Sequence, residues 1–142
     1  MTYVAIDTGP LVALVNRRDS HHDWAKQVLS TIRTPIFTCE PVLSEACYLL
    51  RATVGGPEAV LGLVAREAVK VDFSVAIEIE PVLALMRRFK NVPMSLADAC
   101  LVRMTEIEPH SEVLTLDSDF SSYRRNRRQV VPTISPGPRH GS

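Results

Sequence analysis

Short apolar runs alternate along this chain with longer stretches in which apolar residues recur at helical spacing. The short runs contain β-branched residues, which is typical of buried strands. The longer stretches resemble the buried face of a helix. The predicted strands are residues 3–6, 35–38, 69–73 and 113–116, with a last short strand at 130–131. The predicted helices are residues 19–32, 41–50, 57–68, 79–89 and 95–105.

This alternation predicts an α/β fold, in which helices cover both faces of a parallel sheet. Parallel neighbours need crossover connections, and helices of about ten residues supply them. A length of 142 residues with 46% hydrophobic residues is enough for one domain with one core. We place that domain at residues 1–131. Residues 132–142 are rich in Pro, Gly and Ser, which predicts a disordered tail.

The overall composition gives few hints about function. Lys and Arg together number 16, as do Asp and Glu, so no global positive field attracts nucleic acid. Cys39, Cys47 and Cys100 form no CxxC pair and indicate reduced thiols. The start of the chain does not have the pattern of a secretory leader, and no apolar run approaches the ~18 residues of a membrane span. We therefore expect a cytoplasmic protein with no membrane partner.

Several aspartates follow predicted strands or begin a predicted helix. Asp7 and Asp117 each come at the carboxyl end of a strand, the edge at which ligands bind in open α/β sheets. Each acid also has a simple structural explanation. Asp7 can begin a turn, Asp98 can form a capping box with Ser95, and Asp117 and Asp119 can shape a loop.

Glu45 has no such simple explanation, because its predicted helix is apolar from residue 42 to residue 50. We expect it to be partly buried, and neither Arg33 nor Arg51 is at a helical spacing that could pair with it. Gathering Glu45 with the aspartates in one cleft would place like charges together, which a divalent cation would neutralise. Oxygen ligands without His or Cys favour Mg²⁺ or Mn²⁺ over Zn²⁺.

Four acidic blocks in this order resemble the PIN-domain family, particularly its stand-alone members similar to VapC-type toxins. The blocks are AIDTGPLVAL at residues 5–14, SEA at 44–46, SLADA at 95–99 and LTLDSDF at 114–120. With their spacing they extend from residue 3 to about residue 131. The resemblance implies a three-layer α/β/α fold and cleavage of RNA by a water that Mg²⁺ or Mn²⁺ activates.

The resemblance also assigns roles to individual residues. The catalytic and metal-binding acids would be Asp7, Glu45, Asp98 and Asp117. The three aspartates are the first choices for holding metal, whereas Glu45 would bind a second ion or position the attacking water. Thr115 would orient the cluster by hydrogen bonding, and Asp119 would be a helper of open role. The resemblance further implies a homodimer that a small antitoxin protein inhibits.

A cluster of arginines directly follows the last acidic block. Arg124, Arg125, Arg127 and Arg128 lie within five residues, and Tyr123 precedes them. Arginine pairs well with phosphate and a tyrosine ring can stack on a base, so these residues could bind the RNA substrate. A solvated charged loop is an equally simple interpretation.

Three other functions are alternatives to the nuclease hypothesis. Asp7-Thr8-Gly9 matches the aspartic-protease motif, but that chemistry needs a second such Asp and an all-β scaffold. The pair Asp117 and Asp119 also suggests a Toprim-like or phosphatase-like site, but the haloacid-dehalogenase pattern requires an acid at position 9, which is glycine here. A non-catalytic RNA- or protein-binding module with the same fold is the third alternative, although this sequence retains all four acids.

Overall fold

Seven short strands form a central sheet and one separate hairpin. The computed structural model describes residues 2–137. The strands are β1 (Tyr3–Ile6), β2 (Ile36–Thr38), β3 (Val69–Val71), β4 (Ser111–Leu114), β5 (Arg124–Arg125), β6 (Gln129–Val130) and β7 (Thr133–Ile134). Five of them form one sheet in the order β3-β2-β1-β4-β7, and every pair in it is parallel. Strands β5 and β6 pair antiparallel in the hairpin.

Helices connect the strands and flank the sheet. They are α1 (Thr8–Val15), α2 (His22–Thr31), α3 (Glu40–Leu49), α4 (Gly56–Ala65), α5 (Ile79–Arg88) and α6 (Leu96–Ile107), with a short 3₁₀ helix at Ser118–Ser121. This architecture confirms the predicted α/β/α fold. Within residues 2–137, no helix has the length and hydropathy of a membrane span.

Helix α1 was not among the predicted helices, the first of which, residues 19–32, corresponds to α2. Gly9 and Pro10 predicted a turn between β1 and the next helix, but both lie in the first turn of α1. A proline is tolerated there because the first N–H groups of a helix have no partner within the helix. The chain therefore enters a helix directly after Asp7.

The end of the chain differs from the predicted disordered tail. Thr133–Ile134 forms strand β7 beside β4. The amide of Val113 donates to the carbonyl of Pro132, and the amide of Thr115 donates to the carbonyl of Ile134. Composition alone could not show that β4 would otherwise have unpaired donors at the edge of the sheet. Residues 138–142 of the predicted tail lie outside the described residues.

The strand order reverses direction between β1 and β4. From β1 the chain adds β2 and β3 on one side, and it then crosses back to place β4 on the other side. Clefts for ligands form at such a switch point, beyond the carboxyl ends of the strands. Helix α6 packs against both β1 and β4. It is almost wholly buried from Ala97 to Val102, so any polar side chain in its first turn is held close to the sheet.

Candidate metal centre

Three aspartates from distant parts of the sequence meet at this switch point. Asp7 follows β1 and caps α1, while Asp117 comes shortly after β4 and caps the 3₁₀ helix. Asp98 lies in the first turn of α6. One carboxylate oxygen from each aspartate lies within 4.8 Å of those from the other two. The structure thus brings together three of the four acids that the sequence singled out.

Hydrogen bonds from two threonines fix the Asp7 carboxylate. Its Oδ1 accepts from the backbone amide of Thr8 at 2.7 Å, and its Oδ2 accepts from the hydroxyl of Thr115 at 2.7 Å. The same Thr115 hydroxyl accepts from the backbone amide of Asp117 at 2.9 Å. Thr115 therefore connects two acids of the cluster, and it is itself buried.

Asp98 is both a helix cap and a member of the cluster. Its Oδ2 accepts from the backbone amide of Ser95 at 3.3 Å, while the Ser95 hydroxyl accepts from the Asp98 amide at 3.0 Å. The same Oδ2 also accepts from the hydroxyl of Tyr123 at 2.8 Å. Among residues 2–137, Oδ1 has no hydrogen-bond donor. The cap and the tyrosine hold one oxygen and leave the other available to a ligand.

Two of the three clustered carboxylates, those of Asp7 and Asp98, are buried and therefore poorly solvated. Burial raises the pKa of the Asp7 carboxyl to about 6, and hydrogen bonds from Thr115 and Thr8 oppose that rise. Burial also raises the pKa of Asp98, and the Tyr123 hydroxyl opposes it. Within the described part of the chain, no Lys, Arg or His forms an ion pair with Asp7, Asp98 or Asp117. Crowded carboxylates without a protein counter-charge are a donor set that fits a hard divalent cation.

Glu45 lies at the rim of the cluster and outside the group of three. It lines the same cavity of about 290 Å³ as the aspartates. Its Oε2 accepts from the hydroxyl of Thr8 at 3.2 Å. The expectation of partial burial is wrong, because Glu45 is exposed. The buried face of α3 consists of Val42 and Ala46, and Glu45 lies beside that face.

The sequence matches the model of one domain family over most of its length. A PIN domain model matches residues 4–126. The chain belongs to the PIN domain family. The match includes Asp7, Glu45, Asp98 and Asp117, so the PIN domain contains the whole acidic site.

Solved structures show the same fold. Seven chains match, among them the crystal structure of Mycobacterium tuberculosis VapC20, described as a toxin that cleaves the sarcin-ricin loop. The TM-score is 0.76 at 23% sequence identity, and the match covers 84% of this PIN domain chain and 93% of VapC20. No curated protein matches this sequence.

Asp119 lies next to the cluster of the PIN domain but is not one of the three grouped acids. Its backbone amide donates to Oδ1 of Asp117 at 2.9 Å. Through this bond it helps to fix Asp117 at the start of the 3₁₀ helix. Its carboxylate accepts no hydrogen bond from residues 2–137.

The arginine cluster of the PIN domain divides into two kinds of residue. Arg125 donates to the carbonyls of Thr105 at 2.9 Å and Pro109 at 3.1 Å, and to the Ser111 hydroxyl at 3.3 Å. Thr105 lies about 10 Å from Asp98 along α6, at 1.5 Å per residue. Arg125 thus ties the hairpin to the far end of α6, and its expected role in RNA binding stays a prediction.

The other three arginines remain more open. Arg124 donates to the carbonyls of Ser121 and Tyr123, both at 2.8 Å. Arg127 and Arg128 are exposed in the turn between β5 and β6. Arg127 and Asn126 adopt positive φ angles there, so this turn holds the two strands of the hairpin together.

Two residues of the PIN domain site were not expected from the sequence. Tyr123 was interpreted as a surface for stacking, but it is fully buried and binds Asp98. Its ring packs edge-on against Phe89 and Phe120, with centroids at 5.5 Å and 5.2 Å. Thr8, which links Asp7 to Glu45, was also missed. Only its position next to Asp7 could have indicated it.

Proposed function

We propose that this PIN domain is a divalent-cation-dependent endoribonuclease that hydrolyses phosphodiester bonds in RNA. The observation that carries the proposal is the meeting of Asp7, Asp98 and Asp117, with oxygens within 4.8 Å and no basic partner among the described residues. Membership of the PIN domain family and the likeness to VapC20, a toxin that cleaves an RNA loop, support the same activity.

The three aspartates would hold Mg²⁺ or Mn²⁺ at the carboxyl edge of the sheet. When bound, such a cation supplies Lewis acidity to the scissile phosphate and makes a water molecule more acidic. Thr115 and Tyr123 keep the carboxylates of Asp7 and Asp98 in place. The positive amino ends of α1 and α6 lie at the cleft and also favour an anionic phosphate.

Glu45 is proposed as the group that takes a proton from the attacking water. It lines the cavity of the aspartates but is not one of the three grouped acids, and its exposure leaves it hydrated. A carboxylate that lies at the edge of the site and is open to water can reach a proton of the attacking water, which is the geometric requirement for a general base. Thr8 holds it toward Asp7.

The biological setting is part of the proposal. The likeness to VapC20, which is described as a toxin, supports a toxin role for this chain. The resemblance of the acidic blocks to VapC-type toxins further implies a cytoplasmic homodimer that an antitoxin protein inhibits. Such contacts need exposed apolar surface, and this surface is present on α3 and α4 and between them. Tyr48 is 62% exposed, Leu49 53%, Val54 102% and Leu61 52%. Light scattering of the purified chain, alone and after co-expression with the product of the adjacent reading frame, tests both partners.

The central experiment is cleavage of RNA with Mg²⁺, with Mn²⁺ and with a chelator. We expect cleavage only with a cation, and losses of about 100-fold or more for Asp7→Asn, Asp98→Asn and Asp117→Asn, because removing even outer groups of a metal site costs 10- to 100-fold. Asp23→Asn, an exposed aspartate on α2, is the matched control. RNA binding without cleavage in any condition would instead support a non-catalytic binding module.

A further inference from the structure

A second cavity adjoins the metal centre on the side of β7. Its volume is about 390 Å³, which lies within the range of small-molecule sites. Leu116 and Asp117 line both this cavity and the acidic one, so the two meet at the carboxyl end of β4. The two cavities therefore border one another at these residues, and a molecule bound at the aspartates lies next to the second cavity.

The walls of this cavity are apolar surface interrupted by hydrogen-bonding groups. Phe120 and Val131 supply buried apolar side chains. Ser121 and Thr133 supply hydroxyls, and His21 supplies an imidazole. No Lys or Arg of the described residues lines it, and its single carboxylate is Asp117 at the border with the metal centre.

This lining selects a class of ligand. A phosphate would find no cation there, and a cation would find only Asp117. A nucleobase is neutral, has apolar faces and carries donors and acceptors on its edges, which matches walls of this kind.

We propose that this cavity binds the base of the nucleotide next to the scissile phosphate and so determines the cleavage sequence. The inference rests on the proposed ribonuclease activity, since it places the scissile phosphate at the aspartates. The base would enter at Asp117 and contact His21, Ser121 and Thr133. These residues come from the connection before α2, from the 3₁₀ helix and from β7. His21 and Thr133 would thus contribute specificity from segments that hold no metal ligand, and Ser121 from the 3₁₀ helix that Asp117 caps.

The first test blocks the cavity and measures cleavage preference. Thr133→Phe puts a large side chain into the lining at an exposed position of β7, where an aromatic residue suits a strand. Gln129→Phe is the matched control, because Gln129 is also an exposed strand residue but does not line the cavity. A pool of RNA oligonucleotides with a randomised sequence is cleaved, and the ends are sequenced.

We expect Thr133→Phe to reduce the preference at one position beside the cut by about 10-fold, mainly through KM, which is the effect of losing one stacked or hydrogen-bonded base. Gln129→Phe should keep the native preference. His21→Ala gives a second variant, which lies outside β7 and so leaves that strand unchanged. Helix α2 should also keep its fold, since the His21 side chain makes no capping bond to it. Native preference in both Thr133→Phe and His21→Ala would overturn the proposal.

A binding measurement separates failure of the subsite from failure of the nuclease. Adenosine, guanosine, cytidine and uridine are titrated into the native chain with a chelator present, and amide and indole shifts are followed by NMR. Trp24 is the chain's one tryptophan, and its ring contacts His21 edge-on at 6.5 Å between centroids. Shifts at Trp24 and Ser121 for at least one nucleoside, lost in Thr133→Phe, support the subsite even if no RNA is cleaved. No shift with any nucleoside overturns it even if RNA is cleaved.

Discussion

Each clustered aspartate accepts a backbone amide at the start of a helix and still offers oxygen to the cleft. Asp7 accepts from the amide of Thr8, Asp98 from that of Ser95, and Asp117 from that of Asp119. The structural and functional interpretations of these acids are therefore compatible. Capping restrains the carboxylates before a ligand arrives, so less ordering is needed on binding.

The hydroxyl of Tyr123 should matter for metal binding rather than for folding. Tyr123→Phe removes the donor to Asp98 and keeps the ring that packs on Phe89 and Phe120. We expect a 10- to 100-fold weaker apparent affinity for Mn²⁺, as for other groups that orient a metal ligand, with a small change in Tm. Calorimetric titration with Mn²⁺ and thermal melts measure the two effects.

Tyr3→Phe is the control for this change, because it also removes a hydroxyl that donates to an aspartate, Asp72, and keeps a ring that stacks on Phe37. Tyr3 begins β1, at the edge of the sheet opposite the acidic cluster. An unchanged affinity for Mn²⁺ in Tyr123→Phe would show that the hydroxyl does not position Asp98.

The buried charge of Asp7 should destabilise the metal-free protein. Asp7→Asn removes that charge next to Asp98 and Asp117 and keeps an acceptor for the Thr8 amide. In chelator at pH 7.5 we expect the Tm of Asp7→Asn to exceed that of the native chain by about 2–5 °C. Mn²⁺ should raise the Tm of the native chain but not that of the variant. Equal responses to Mn²⁺ in both chains would place the cation elsewhere.

At the scale of elements, local signals predicted most of the helices and the main strands. The Ser95-x-x-Asp98 pattern predicted the capping box of α6, and both of its hydrogen bonds are present. The exposure of Glu45 could not be predicted from the sequence, because apolar residues lie on all sides of α3 and do not mark its buried face. Leu49, for example, is apolar but 53% exposed. The bond between Tyr123 and Asp98 joins residues 25 positions apart and has no local signal.

Substitutions in the β5–β6 hairpin distinguish arginines that stabilise the fold from arginines that bind RNA. Arg125→Ala removes the donor to Thr105, Pro109 and Ser111 at the end of α6. We expect a loss of about 2 kcal/mol in the free energy of unfolding, because the acceptors of the buried residues Thr105 and Ser111 lose a charged donor. Urea denaturation measures this loss.

Arg128→Ala is the matched control, since Arg128 is exposed in the same hairpin and should change stability by less than about 0.5 kcal/mol. If Arg128 contacts phosphate, its removal should instead weaken RNA binding and reduce the salt dependence of that binding. A stable Arg125→Ala variant with weak RNA binding would restore the role expected from the sequence.

At the scale of the whole molecule, the acidic cluster depends on strand order rather than on any single segment. Asp7 and Asp117 are 110 positions apart and become neighbours because β1 pairs with β4. No pattern within one element contains this information. The acids could be named from the sequence because each follows a strand or begins a helix, but their convergence follows only from the parallel order of the sheet.

Strand β7 should stabilise the edge of the sheet on which Thr115 and Asp117 depend. A chain that ends at Val131 lacks the carbonyls of Pro132 and Ile134, which accept from the amides of Val113 and Thr115. We expect these two amides to exchange with solvent much faster in the shortened chain, and the Tm to fall by several degrees, because each lost bond contributes about 1 kcal/mol. A chain that ends at Gly137 keeps β7 and is the control.

Since the Thr115 hydroxyl orients Asp7, the shortened chain should also bind Mn²⁺ more weakly than the control. Native exchange rates at Val113 and Thr115 together with native Mn²⁺ affinity in the chain that ends at Val131 would mean that the acidic cluster does not depend on β7.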